Sequence, residues 1–229
     1  MSEPTSDSVS HGAVYRDLRA RVAELISSID AHEFDQLSPA TPNWRVHDLL
    51  SHLVGVSDDV VHGRLDGVAT DSWTAAQVEP RRNRAAAELL AEWGEHAPEF
   101  ETLLDNAPAE ISGQALFDAA THEHDIRCAL RVGGARDSNA IAVGWRWMLD
   151  ARTRGGAPAL CFATEAGEEL AGTGEPVARI ETSRFELFRA ITGRRSASEI
   201  AHYGWDREPD PLLLLSAPIF HMREEPLAE

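Results

Sequence analysis

Residues 12–34, GAVYRDLRARVAELISSIDAHEF, set the fold class. Val14, Leu18, Val22, Leu25 and Ile29 recur every three or four positions, with charged residues between them. That period is an amphipathic helix of about five turns with one apolar stripe to bury. The same spacing returns downstream. A second helix starts near Val46 and runs through HDLLSHLVGVSDDVVHGRL (47–65). A third covers 82–105, a fourth GQALFDAATHEHDIRCALRV (113–132), and a fifth AIAVGWRWMLDARTR (140–154). LSPATPNW (37–44) reads as a polar, proline-bearing loop, and GGARDSN (133–139) as a break. Helices joined by short polar loops predict an antiparallel bundle.

The pattern changes at Gly155–Gly156. Residues 158–183 alternate, carry β-branched side chains and are cut by glycine turns, which predicts two or three strands with a hairpin at TEAGEE (164–169). SRFELFRAITGRRS (183–196) reads as a helix with Gly193 just past its end, and ASEIAHYGW (197–205) as one more short helix. The expected architecture is α+β, mainly α: a helical bundle over residues 1–154 and a small α+β domain over 155–229. There is no internal repeat.

Composition narrows the function classes. The 229 residues are enough to bury a core, and 43% are apolar. The longest apolar run, PLLLLSAPIF (211–220), is shorter than the ~18 residues of a membrane span and holds prolines. The polar, acidic start MSEPTSDSVSHG has no signal-peptide order, so a frayed N-terminus and a cytoplasmic protein are expected. Two cysteines, Cys128 and Cys161, form no CxxC unit and read as free thiols. The net charge of −17 argues against nucleic acid and anionic membranes as partners. All 21 bases are arginine. Without lysine there is no Schiff-base or phosphate-loop chemistry, and any anion must be held by arginine, backbone N–H or a metal. No GxGxxG follows a strand and no G-x-S-x-G occurs.

The chemistry sits in DAATHEHDIRCAL (118–130). On a helix, Asp118 and His122 stand one turn apart on one face, a relation that can chelate one divalent cation or simply face water. His124 lies about 200° around from His122 and cannot share its metal. Asp125, at i+3, flanks the same face and could orient the imidazole or simply face water. A catalytic metal takes three protein ligands and an open position. Within HDLLSHLVG, His52 lies among Leu49, Leu50 and Leu53 and is a candidate third ligand. His47, about 140° away, and His62, about 15 Å along the axis, are not. Among the tryptophans, Trp44 reads as a loop-to-helix anchor, Trp145 and Trp147 point to opposite faces of one helix, and Trp73 falls in an interhelical loop.

TPNWRVHDLLSHLVG (41–55) resembles the N-terminal signature of the mycothiol-dependent maleylpyruvate isomerase family, within the wider DinB-like helical bundles. The matching positions are Trp44 and His52. DAATHEHDIRCAL resembles the family's acid-x3-His-x2-Asp motif at Asp118, His122 and Asp125. DGVATDSWTAAQVEPRRNR (66–84) and TSRFELFRAITGRRSASEIAHYGW (182–205) also resemble members, so the likeness spans roughly residues 12–226. It implies a DinB-like antiparallel four-helix bundle followed by a small α+β domain. It also implies Zn²⁺ or another divalent metal on His52, Asp118 and His122. Mycothiol is the implied co-substrate, its thiolate attacking a small electrophile for S-transfer or isomerisation. In the family the acidic ligand is Glu; Asp118 is one methylene shorter. The resemblance further implies a C-terminal catalytic arginine, for which Arg194 and Arg195 in TGRRS are the candidates, a solvated basic helix end being the other reading of those residues. The expected protein is a monomeric transferase or isomerase; the alternative is a non-catalytic metal-binding or regulatory protein on the same scaffold.

Overall fold

The computed structural model describes residues 9–215 and 221–229. Residues 1–8 of the start expected to be frayed, and residues 216–220 of the apolar run, lie outside the described residues, while His11 and Gly12 of that start already belong to a helix. The described chain divides into two compact units: residues 1–36 with 45–112, and residues 37–44 with 113–229.

The first unit is helical. Helix α1 (His11–Ser28) starts where Ser10 accepts the Ala13 N–H, which satisfies one of the unpaired donors of a helix start. α2 (Ala31–Phe34) is a single turn with an Asp30–Glu33 capping box. α3 (Val46–Val61) follows, then α4 (Asp71–Val78) and α5 (Ala86–Asn106). The stripe of α1 buries Val14, Tyr15, Leu18, Val22 and Ile26, a strict i, i+4 run after Tyr15. Leu25 is only partly covered, and Ile29 lies past the helix end in extended backbone, so the sequence period drifts off the buried face at the last turn. α1 and α3 both pack on α5. Trp93 of α5 donates its indole N–H to the Tyr15 hydroxyl at 2.9 Å, which satisfies two polar atoms in the core.

α4 corrects the expected loop around Trp73. Its start is capped by Thr70. It packs on α3 at Gly55, where a Cβ would come within 2.4 Å of the Gln77 Cβ. Glycine is what lets the two helices meet there.

The second unit opens with a hairpin of β1 (Leu37–Ser38) and β2 (Thr41–Arg45), in place of the expected polar loop. It continues with α6 (Ala109–Leu130), whose first turn belongs to the other unit, and α7 (Asn139–Arg154). Strands β3 (Pro158–Thr164), β4 (Gly167–Ala171), β5 (Thr173–Glu181) and β6 (Gly204–Trp205) form one sheet in the order β4-β3-β5-β6. β3 and β4 make the expected hairpin at 164–169, and β5 returns parallel to β3 on its other side. The switch takes a single residue, Gly172, at φ +117°. A Cβ there would stand 2.6 Å from Ala159 Cα and the Pro158 carbonyl, so no side chain fits.

Leu160, Phe162, Ala178 and Ile180 of the sheet are buried to 1% exposure or less, and Trp145 of α7 meets Phe162 edge-on. Trp145 is buried and Trp147 only partly so, as their opposite positions on the helix predict. α8 (Arg184–Ile191) packs on α7, and α9 (Ala197–Ala201) starts with a Ser196–Glu199 capping box. Gly193, just past α8, has φ +76° and lies against the His221 carbonyl, as its helix-stop position predicts. The fold is therefore α+β and mainly α. Among the described residues no helix is long and apolar enough to cross a membrane.

Candidate metal centre

On α6, Asp118, His122 and Asp125 share one face, as the spacing predicts. His122 Nε2 lies 3.5 Å from Asp118 Oδ1, and its Nδ1–H donates to Asp125 Oδ2 at 3.1 Å. The Trp44 ring, delivered by β2, stacks on the imidazole at 5.6 Å between centroids. Ser38 of the same hairpin donates to the Asp125 carbonyl at 3.2 Å. The loop-to-helix anchor read in Trp44 is thus also one wall around His122.

Asp125 is fully buried. Burial alone would raise its pKa, but two guanidiniums hold it well below the usual carboxylate range. Arg194 donates Nη2–H to Oδ2 at 2.7 Å and Nε–H to Oδ1 at 3.2 Å, and Arg189 donates to Oδ1 at 2.9 Å. His122 feels burial, which lowers its pKa, and the carboxylates of Asp118 and Asp125, which outweigh it; the net value is raised to about 9. His124 faces elsewhere, buried beside the Phe185 ring. Its pKa is lowered well below the usual value by burial and then by Arg189 and Arg127, so it is a neutral core histidine.

On α3, His52 is buried and donates Nδ1–H to Gln77 Oε1 at 2.7 Å. The Gln77 amide donates in turn to Asp59 Oδ2 at 3.0 Å, and Arg64 donates to Asp59 Oδ1 at 2.8 Å. This chain fixes the His52 ring through Nδ1. Gln77 escaped sequence reasoning because a polar residue at the end of a short helix carries no periodic signal. His47 is occupied with the Arg84 carbonyl and the Phe34 ring.

The two arginines of TGRRS part company. Arg194 is bound to Asp125, whereas Arg195 forks onto Glu186 at 2.6 and 2.9 Å and reaches Glu229 at 2.8 Å. Arg189, one turn earlier, is fully buried; its link to Asp125 spans 64 residues and leaves no local trace. Burial pushes the Cys128 thiol up to about 11, which leaves it a poor nucleophile.

The profile of the mycothiol maleylpyruvate isomerase N-terminal domain matches residues 15–132, more than half of the 229 residues. The chain belongs to this family. Two solved structures share the fold of this family member: a point mutant of the mycothiol-dependent maleylpyruvate isomerase, with TM-score 0.59, and the mycothiol-dependent maleylpyruvate isomerase itself, with TM-score 0.55. Each is 12% identical, and the match covers 87% of this chain and 95% of the other. No curated protein matches.

Proposed function

We propose that the chain is a metal-dependent enzyme of the maleylpyruvate isomerase type. It uses the low-molecular-weight thiol mycothiol as nucleophile toward a small electrophile, in isomerisation or S-transfer. In this reading the helices of residues 1–154 make up the metal-binding domain and residues 155–229 the small α+β domain, a functional division that differs from the compact units, which part at residue 112. His52, Asp118 and His122 are the ligands of one Zn²⁺ or similar divalent ion. The donor set fits: two imidazole nitrogens and one carboxylate oxygen are a ligand set for a borderline dication. Family membership and the shared fold support mycothiol as the thiol.

The observation that carries the reading is the relay behind His122. A buried carboxylate, Asp125, holds its Nδ1, and Arg189 and Arg194 hold the carboxylate. Such a partner fixes the ring and its tautomer and raises the basicity of the other nitrogen, Nε2. When bound, a divalent ion with an open position supplies the acidity that turns a thiol into a thiolate near neutral pH.

The chain's own residues do the rest. His52 and His122 present oriented nitrogens. Asp118 supplies the anionic ligand, its shorter side chain placed beside His122 Nε2. Trp44 shields one face of the His122 ring from water. Of the two proposed catalytic arginines, the reading favours Arg194, which shares Asp125 with His122 and has a side chain 12% exposed. In this reading it pairs with a substrate carboxylate through N–H groups other than those it gives to Asp125 and the Thr192 carbonyl. Arg195 serves by closing the α8 end onto Glu186.

The test is elemental analysis of wild type, His52→Ala and His122→Ala, followed by thiol-consumption assays with maleylpyruvate and related electrophiles. The expected result is about one zinc per chain fewer in both variants than in wild type, and thiol-dependent turnover of the metal-loaded wild type. A metal content in both variants equal to that of wild type would overturn the site. Bound metal without turnover would overturn the enzymatic reading in favour of the regulatory one.

A further inference from the structure

A second group of metal-ligand residues sits where α3 ends against α5. His62 follows the last turn of α3, with its N–H bonded to the Asp58 carbonyl. Its Nδ1 lies 2.9 Å from Asp58 Oδ1 and 2.9 Å from the Asp58 carbonyl oxygen. His96 of α5 brings Nε2 to 3.5 Å from the same Oδ1. The two imidazole rings meet edge-on, 5.5 Å apart.

The Asp58 carboxylate is divided between two kinds of partner. Oδ2 takes the guanidiniums of Arg64 and Arg81, at 2.6 and 2.9 Å, while Oδ1 faces the histidines. Each arginine is shared with a further carboxylate, Arg64 with Asp59 and Arg81 with Glu92. Neither therefore cancels the charge of Asp58 alone. The result is an anionic oxygen set before two imidazoles, backed by hydrogen bonds that fix its orientation.

From this geometry we infer a second divalent-cation site formed by Asp58, His62 and His96. One ligand atom from each lies within 4.8 Å of the others. Tetrahedral ligands at about 2.1 Å from a metal stand about 3.4 Å apart, so a small side-chain rotation completes the set, with the Nδ1 proton that His62 gives to the Asp58 oxygens released to solvent. His62 has room for it, because its side chain is 51% exposed. Two nitrogen donors select zinc, nickel or copper over magnesium or calcium, whose ligands are oxygens. Exposure leaves the remaining positions to water, so this ion exchanges more readily than one at a buried site. Bound there, it ties the end of α3 to α5; its ligand Asp58 shares Arg64 with Asp59, the carboxylate that accepts from Gln77.

The site is independent of His52, Asp118 and His122, and the test keeps the two apart. Metal-free full-length protein is titrated with Zn²⁺, and separately with Ni²⁺, against a chromophoric chelator. Wild type, His62→Ala, His96→Gln and His52→Ala are compared. The expected result is one weaker equivalent that His52→Ala keeps and that both His62→Ala and His96→Gln lose. Thermal unfolding gives a second readout: a midpoint that rises with free Ni²⁺ in His52→Ala, as linkage requires, and does not in His52→Ala/His62→Ala. An equal stoichiometry in wild type, His62→Ala and His96→Gln overturns the inference, as does an equal Ni²⁺ shift with and without His62.

Discussion

His122 donates to Asp125 across 3.1 Å, and Asp125 is a carboxylate with no exposure to solvent. A buried carboxylate costs several kcal/mol to desolvate unless cations repay it. Arg189 and Arg194 do so here. Asp125→Asn removes that charge while keeping the size. Zinc affinity is expected to fall about 10- to 100-fold, the usual effect of losing a carboxylate behind a ligating histidine. Chelator competition measures it. The same change leaves Arg189 facing one carboxylate fewer, and urea unfolding should show a loss of roughly 3–5 kcal/mol.

The raised pKa of His122 makes metal binding a proton exchange. With a value of about 9 in the metal-free protein, the ring is protonated at pH 7.5 and must give up its proton to ligate. Titration calorimetry in buffers of different ionisation enthalpy should show about one proton released per zinc. Zinc affinity should climb with pH until about 9.

The same group gives the metal-free protein a defined stability profile. Its folded pKa lies above the unfolded value of 6.5. Its contribution is therefore complete below pH 6.5 and is lost as pH rises toward 9. The full term is up to about 3 kcal/mol. Urea midpoints of metal-free wild type should fall across that window, and those of His122→Gln should not.

Gln77 tests the α3 half. Gln77→Leu keeps the bulk but removes the acceptor for His52 Nδ1–H and the donor to Asp59. Zinc binding should weaken about tenfold or more. Gly55→Ala should reach the same end by another route. Its Cβ would overlap Gln77 and push α4 away, at a cost of about 1–3 kcal/mol. Comparing the two separates lost orientation from lost packing.

Arg194→Ala is expected to abolish turnover while leaving zinc content largely intact, because Arg189, which is shared with Glu229, still donates to Asp125 Oδ1. Arg194→Lys should not restore it, since a point charge cannot reproduce the fork. Steady-state assays beside elemental analysis decide the matter.

What could be read in advance followed from periodicity. The stripe at Val14, Leu18 and Val22, the Asp118–His122–Asp125 face, the 164–169 hairpin and the stop at Gly193 each depend on residues a few positions apart. Their geometry is local. α4 could not be read, because its buried residue is Gln77 and a helix that buries an amide shows no apolar period. The hairpin of residues 37–45 was hidden by its brevity and by Pro42. Arg189 and Arg194 meet Asp125 across 64 and 69 residues. Only tertiary packing makes that contact, so TGRRS looked like a solvated helix end.

The sharing of Asp125 has a consequence for motion. Any local opening that peels α8 from α6 strips Arg189 and Arg194 from a buried anion and withdraws the support of His122 in the same event. Detachment of α8 and disarming of the ligand are thus a single cooperative step. Amide hydrogens of residues 184–194 should exchange more slowly once the ion is bound, although none of them touches it.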